Sequence, residues 1–73
     1  MSAWAIIVDG EIDIRTVSPT DIGAMVNWLV VAFGAVACGR VSDDDVRSAF
    51  ATMRGQTNTS VEVCPVEVRR ALQ

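Results

Sequence analysis

The N-terminal part of the chain alternates between apolar and polar positions in the way that two paired β-strands do. Residues 3–8 and 11–17 are rich in β-forming side chains, and Asp9-Gly10 separates the two runs. A two-residue turn of this composition favours type I′ geometry, because both of its residues must accept a positive φ. The sequence therefore predicts a β-hairpin over residues 3–17.

The two-residue turn also sets the predicted register of the hairpin, with Val8 opposite Glu11 and Ile7 opposite Ile12. Continued without a break, this register gives one wholly apolar face, which we expect to form the core: Ala5, Ile7, Ile12 and Ile14. The outer face is expected to mix apolar and charged side chains: Trp4, Ile6 and Val8 opposite Arg15, Asp13 and Glu11.

An apolar stripe with helical spacing follows the hairpin. Ser18 can cap a helix that starts at Pro19, with Asp21 in its first turn. Apolar residues then recur at intervals of three and four: Ile22, Met25, Val26, Leu29, Val30 and Phe33. Gly34 is a natural stop, so the pattern predicts a helix over residues 19–33.

A second helix is predicted over residues 43–54. Ser42 is a capping residue, and the acidic run Asp43–Asp45 lies in the first turn, where the helix dipole favours anions. One apolar face continues to the stop at Gly55: Val46, Ala49, Phe50 and Met53. The small apolar connection 35–39 between the two helices has no predicted local structure.

A third strand is predicted over residues 60–68, although its valines form two pairs that are out of phase. A one-residue bulge at Cys64-Pro65 would bring all four valines to one side, while a short helix from Pro65 onward is the competing interpretation. Because proline lacks an N–H, the strand is expected at a sheet edge. Residues 69–73 are expected to form a frayed tail.

The elements follow the order β-β-α-α-β. We expect an α+β fold in which a three-stranded antiparallel sheet carries two helices on one face. A chain of 73 residues has room for a single small domain, residues 1–73. The apolar run from Ile22 to Cys38 approaches the length of a bilayer span, but Asn27 and Gly34 interrupt it, so we expect a core helix and no membrane insertion.

The amino-acid composition excludes most kinds of catalytic site. The chain has no His, no Tyr and no Lys, so the usual base of a nucleophilic triad is missing. Its carboxylates fall at turns, strand surfaces and helix caps, and its two cysteines are too far apart in sequence for a typical zinc site. We therefore expect a protein that is not an enzyme and that uses neither a metal nor another cofactor.

Net charge and cysteine use indicate the environment and the partner. Nine acidic residues against six arginines give a net charge of −3, which disfavours direct binding of nucleic acid. The N-terminus has no signal-peptide pattern, so we expect a cytoplasmic protein in which Cys38 and Cys64 stay reduced. An acidic protein of this kind suits a basic protein partner, including one that normally holds nucleic acid.

Two acidic groups and one aromatic position are the candidate contacts with such a partner. Capping explains part of the run Asp43–Asp45, but its adjacent like charges also suit a basic surface. On the outer hairpin face, Trp4 is expected to lie opposite Arg15, where a cation–π contact would form. The complete set of predicted partner-binding residues is Trp4, Asp9, Glu11, Asp13, Arg15, Asp43, Asp44 and Asp45.

The chain resembles the small proteins that phages and prophages encode. The resemblance is carried by the segments 4–10 (WAIIVDG), 15–20 (RTVSPT) and 42–45 (SDDD). In size, acidity and lack of catalytic residues the chain is similar to anti-CRISPR proteins, and the ββααβ order is similar to that of some inhibitors of type I systems, type I-C among them. No functional residue carries over by position, because these families share no common motif.

The resemblance implies a non-enzymatic inhibitor in the host cytoplasm. It would bind a multisubunit CRISPR surveillance complex of the Cascade type, as a monomer or a homodimer, and stop that complex from binding target DNA. The alternative is a phage accessory or regulatory protein that self-assembles through the face carrying Trp4.

Overall fold

The computed structural model describes residues 2–34 and 42–67, which form three strands and two helices. The elements are β1 (Ser2–Val8), β2 (Glu11–Ser18), α1 (Asp21–Phe33), α2 (Asp43–Arg54) and β3 (Val61–Glu67). The strands form one antiparallel sheet in the order β2-β1-β3. The predicted α+β fold and the order β-β-α-α-β are confirmed. The predicted connection 35–39, position 68 of the third strand and the predicted tail 69–73 lie outside the described residues.

The hairpin turn has the predicted geometry. Asp9 and Gly10 both have a positive φ, 51° and 83°, as a type I′ turn requires. Val8 pairs with Glu11, the predicted closing pair. The turn is also attached to the third strand, because the Asp9 N–H donates to the Ser60 carbonyl at 2.8 Å and the Ser60 N–H donates to Asp9 Oδ1 at 2.9 Å.

Beyond the turn the predicted register is wrong. Ile6 pairs with Asp13, but Trp4 pairs with Ser18, so two steps along β1 face five steps along β2, and β2 contains an irregular bulge. The fully buried Thr16 explains the bulge, since its hydroxyl accepts from the Ile6 N–H at 2.8 Å and donates to the Asp13 carbonyl at 2.7 Å. A side-chain hydroxyl thus replaces the backbone carbonyl that a regular ladder would supply. The pairs Ala5–Ile14 and Trp4–Arg15, which an unbroken register predicts, do not form.

The face of the hairpin that packs against the helices is the one predicted to lie outside. Ile6 is completely buried in the core, and Trp4 and Val8 pack against that core. The predicted core face is the other side of the sheet, where Ile12 is 50% and Ile14 80% exposed, although Ala5 is fully buried as predicted. The reason is volume, since the Trp4, Ile6 and Val8 side chains fill the space under two helices better than a face containing alanines.

Strand β3 extends the same core face without a bulge. Its register against β1 is unbroken from Val61 to Glu67, so the predicted bulge is wrong and the strand interpretation is correct. Val61 and Val63 pack in the core, whereas Cys64 and Val66 alternate to the other side. The predicted edge position of this strand is confirmed.

Helix α1 begins two residues later than predicted. Its cap is Thr20, whose Oγ1 accepts from the Gly23 N–H at 2.9 Å, so Ser18 and Pro19 precede the helix. The backbone approaches Ser18 so closely at Gly23 that a Cβ there would overlap Ser18 Oγ. The helix ends at Gly34, which has a φ of 67°, as predicted for a left-handed cap.

Helix α2 agrees closely with its predicted range. Ser42 is the cap, and its Oγ accepts from the Asp45 N–H at 3.2 Å. Phe50 is buried and packs edge-on against Trp28 of α1, with ring centroids 5.3 Å apart. Trp28 is the centre of the helical layer and was not among the predicted core positions. No helix of the described residues is long and apolar enough to cross a membrane.

Candidate protein-binding surface

The predicted contact residues fall at separate places in the fold. Asp9, Glu11, Asp13 and Arg15 lie along the hairpin, whereas the acidic run 43–45 lies at the start of α2. The hairpin turn is bonded to Ser60, just after the loop that follows the end of α2. The twelve residues of α2 place its two ends about 18 Å apart. The two acidic groups therefore belong to different elements, the hairpin and the first turn of α2.

Trp4 does not belong to an outer surface. Its indole is half-buried against the core under the helices, and its strand partners are Ser18 and Pro65. The predicted cation–π contact with Arg15 is wrong, because the bulge moves Arg15 away from the position opposite Trp4. Trp4 consequently acts as a packing residue of the domain.

Arg15 instead pairs with Asp13 on its own strand. Its Nε donates to Asp13 Oδ1 and its Nη2 to Asp13 Oδ2, both at 3.0 Å, and the Arg15 backbone N–H donates to Oδ1 at 3.1 Å. The side-chain hydrogen bond from Arg15 lowers the pKa of Asp13, and the same bond raises the pKa of Arg15. This two-point pair cancels both charges locally and holds the bulge in one shape.

The bulge is anchored on its inner side by α1. The Asn27 side-chain amide donates to the carbonyl of Thr16 at 3.2 Å and, at 3.5 Å, to that of Val17. Backbone groups of the bulge that lack a strand partner are thus satisfied by side chains. These are the Asn27 amide, the Thr16 hydroxyl and the Asp13 carboxylate. These hydrogen bonds restrain the backbone of the bulge.

Three aliphatic side chains of β2 are exposed, and we call this set the β2 patch. Its members are Ile12, Ile14 and Val17, with relative exposures of 50%, 80% and 37%. Large aliphatic side chains grouped on one element of a small protein are typical of a binding surface. Ile12 and Ile14 were predicted to be core residues, and the sequence alone did not identify them as contacts.

The edges of the sheet are poorly suited to adding another strand. Pro65 pairs with Trp4 in a ladder that continues on both sides, so its nitrogen faces outward and interrupts the row of N–H donors on that edge. On the opposite edge, the bulge between Asp13 and Ser18 interrupts the row of backbone groups. Both edges therefore disfavour the addition of another strand.

The remaining hairpin acids border the β2 patch. Asp9 is exposed, but one of its carboxylate oxygens accepts the hydrogen bond from Ser60 described above. Glu11 is exposed on the same strand as the patch. A shallow depression of about 480 Å³ lies along this segment and combines aliphatic with charged walls: Val8, Asp9, Glu11, Ile12, Asp13, Ile14 and Arg15.

The acidic run at the start of α2 lies beside the start of α1. Arg47 Nη2 donates to Asp21 Oδ2 at 2.9 Å and joins the first turns of the two helices. This bond is the main cause of the lowered pKa of Asp21, to which the Ile22 N–H contributes. Asp43, Asp44 and Asp45 are exposed in the first turn of α2.

Metal chemistry and thiol chemistry find little support in the described ranges. No group of three or more potential metal ligands occurs within residues 2–34 and 42–67. Cys64 carries a free thiol and is half-buried in β3. Cys38 lies outside the described residues.

The structure defines a class, a two-layer α+β protein with a bulged edge strand. Comparisons of the chain with protein-family models, with curated proteins and with solved structures returned no match.

Proposed function

We propose that this protein is a non-enzymatic inhibitor that acts by occupying a surface of a larger protein. The observation that carries the proposal is the β2 patch, in which Ile14 is 80% exposed on a backbone held from several sides. In its specific form, suggested by the resemblance to anti-CRISPR proteins, the target is a type I CRISPR surveillance complex and the blocked step is the binding of target DNA.

Rigidity supports a role in binding. A protein that docks must give up the conformational freedom of its contact residues, and a surface already fixed in the unbound state loses less. The Asp13–Arg15 pair and the Asn27 amide fix the backbone on both sides of Ile14. An aliphatic anchor on such a backbone can insert into an apolar pocket at small entropic cost.

The state of the carboxylates also supports binding over catalysis. Asp13 and Asp21 both have a pKa below the ordinary value because each accepts a hydrogen bond from an arginine. Carboxyl groups of this kind remain ionised near neutral pH, so they suit ion pairs better than proton transfer. Surfaces that hold nucleic acid are rich in Lys and Arg, which an acidic inhibitor can engage.

Inhibition can be tested with purified components. A type I-C surveillance complex is incubated with the protein, and its binding of fluorescently labelled target DNA is followed by a gel-shift assay. We expect DNA binding to fall in proportion to the amount of protein added and to stop at a fixed stoichiometry. DNA binding that is unchanged at a large molar excess of the protein would contradict the proposed target.

A matched pair of variants assigns the effect to the β2 patch. Ile14→Thr keeps a β-branched side chain but removes aliphatic surface, and we expect it to inhibit poorly. Val30→Thr makes a similar change at a position of α1 that is 45% exposed, and we expect it to inhibit like the wild type. Equal inhibition by both variants would separate the inhibitory activity from the patch.

Self-assembly remains the alternative function, but it needs a different contact from the one predicted. Trp4 lies beneath the helices, so the β2 patch would have to join two copies. Sedimentation velocity over a range of concentrations distinguishes the two functions, since self-assembly predicts a dimer that Ile14→Thr disrupts.

A further inference from the structure

We infer that the occupant of the β2 patch is a basic amphipathic helix of the partner protein, whose contact face combines Lys or Arg with aliphatic residues. The inference rests on the proposed function and specifies the chemistry of its contact. Such an occupant needs an aliphatic surface with carboxylates within reach of it. The charge of the surface must also favour a foreign segment over a second copy of this chain.

The depression beside the patch has walls that suit a long cationic side chain. Ile12 and Ile14 supply apolar wall, and Asp9 and Glu11 supply carboxylates. Lys and Arg side chains place their methylene stems along apolar surface and keep the charged head near polar groups. An aliphatic residue next to that cation on the partner would then meet the exposed part of Ile14.

The charge of the described residues favours a foreign cationic partner over a second copy. Residues 2–34 and 42–67 hold all nine carboxylates and three arginines. Arg15 and Arg47 are paired with carboxylates, and Arg54 lies over the Phe50 ring at 5.8 Å. Two such surfaces brought together would place like charges opposite one another, which disfavours association.

The sheet edges restrict the mode of binding. Because Pro65 and the β2 bulge disfavour the addition of a strand at either edge, the partner segment has to be held by its side chains. An amphipathic segment satisfies this requirement, since its apolar and cationic side chains can meet the patch and the carboxylates together.

The probe is a short synthetic peptide of leucine and lysine with helical amphipathic spacing. Its binding to the full-length protein is measured by fluorescence anisotropy, and the contact is mapped by amide NMR shifts. We expect saturable binding with shifts concentrated at residues 9–17, and weaker binding of a peptide with the same composition in scrambled order. Shifts centred on residues 43–45, or equal binding of the two peptides, would overturn the inference.

Variants test the two components of the contact separately. Ile14→Thr and Glu11→Arg are each expected to weaken peptide binding by about tenfold or more, which corresponds to the loss of a buried aliphatic contact or of an ion pair. Their controls are Val30→Thr and Asp44→Arg, which alter an exposed aliphatic and an acidic position elsewhere and should bind like the wild type. If the control variants weakened peptide binding as strongly as the patch variants, the assignment of the binding site to the β2 patch would be contradicted.

Other occupants and the proposed function are distinguished by further readouts. If the protein forms a concentration-dependent dimer that Ile14→Thr abolishes, the occupant is a second copy of the chain. If deletion of residues 68–73 tightens peptide binding, the occupant is the chain's own C-terminal segment. Either result overturns the inference. Failure of the wild type to block DNA binding, together with intact peptide binding, would refute the proposed target alone.

Discussion

At the residue scale, one hydroxyl group decides the shape of the hairpin. Thr16 is fully buried, and its Oγ1 takes the place of a backbone acceptor for the Ile6 N–H. The same oxygen donates to the Asp13 carbonyl, so both hydrogen-bonding capacities are used within the bulge. Ile14 lies within this bulge and is 80% exposed.

The variant Thr16→Val keeps the shape of the side chain and removes the hydroxyl. It leaves the buried Ile6 N–H without its acceptor, which typically costs about 1–3 kcal/mol of unfolding free energy. Urea denaturation measures the loss, with Thr52→Val on the exposed side of α2 as a control expected to change little. Equal stability of Thr16→Val and the wild type would show that the hydroxyl does not hold the bulge.

The Asp13–Arg15 pair predicts a contribution to the pH dependence of stability. Because the folded pKa of Asp13 lies below its ordinary value of 3.8, the pair stabilises the fold above that pH. The contribution is lost as the pH falls through the lower, folded pKa. We expect Asp13→Asn to flatten the decline of unfolding free energy in acid.

The matched control for this measurement is Glu11→Gln, which removes a carboxylate from the same strand and leaves the Asp13–Arg15 pair in place. Chemical denaturation at a series of acidic pH values compares the two variants with the wild type. A slope for Asp13→Asn as steep as that of the wild type would contradict the assigned role of the pair.

At the element scale, local signals predicted which elements form, while non-local packing decided how they fit together. Asp9-Gly10 and the Ser42 cap act within a few residues, and both were predicted correctly. The register beyond Asp13 and the core face of β1 were not, because both hairpin faces contain apolar residues. The sequence 13–16 (DIRT) holds the signal that was missed, since an aspartate and a threonine three residues apart can close a turn with their side chains.

Two glycines next to helix ends predict opposite effects of the same substitution. Alanine favours helix over glycine, yet a Cβ at Gly23 would overlap Ser18 Oγ, so Gly23→Ala should destabilise the protein. At Gly55 the φ is −71° and the nearest atom to a new Cβ is 3.5 Å away. Gly55→Ala should therefore be neutral or stabilising by up to about 1 kcal/mol.

Thermal unfolding of the two glycine variants provides the comparison. The double variant Gly23→Ala with Ser18→Ala removes the overlapping oxygen and should recover part of the lost stability. If the Gly23→Ala variant were as stable as the Gly55→Ala variant, this result would contradict the close packing of α1 against Ser18.

At the scale of the whole molecule, the sheet separates a packing side from the exposed residues of its bulged edge. Ile6 lies completely buried under the helices, and Ile12 is half exposed. The β2 patch was missed by the sequence analysis because its isoleucines resemble core residues in any regular hairpin. The role of the acidic hairpin residues in binding stays a prediction, while Asp9 and Asp13 accept hydrogen bonds within the fold.

Truncation of two isoleucines tests which side of the sheet forms the core. Ile6→Ala should cost about 2–5 kcal/mol, since it creates a cavity in a packed core. Ile12→Ala should cost much less, as is usual for exposed positions. Urea denaturation of the two variants would contradict the assignment if Ile12→Ala were the more damaging.

In the proposed function, Ile14 is a contact residue for the partner. The most direct test measures, on the same preparations of Ile14→Thr and wild type, the unfolding free energy and the inhibition of target-DNA binding by the surveillance complex. We expect Ile14→Thr to have nearly the unfolding free energy of the wild type and to inhibit DNA binding clearly less. A variant that unfolds more easily, as a core residue would require, or that inhibits as well as the wild type would contradict it.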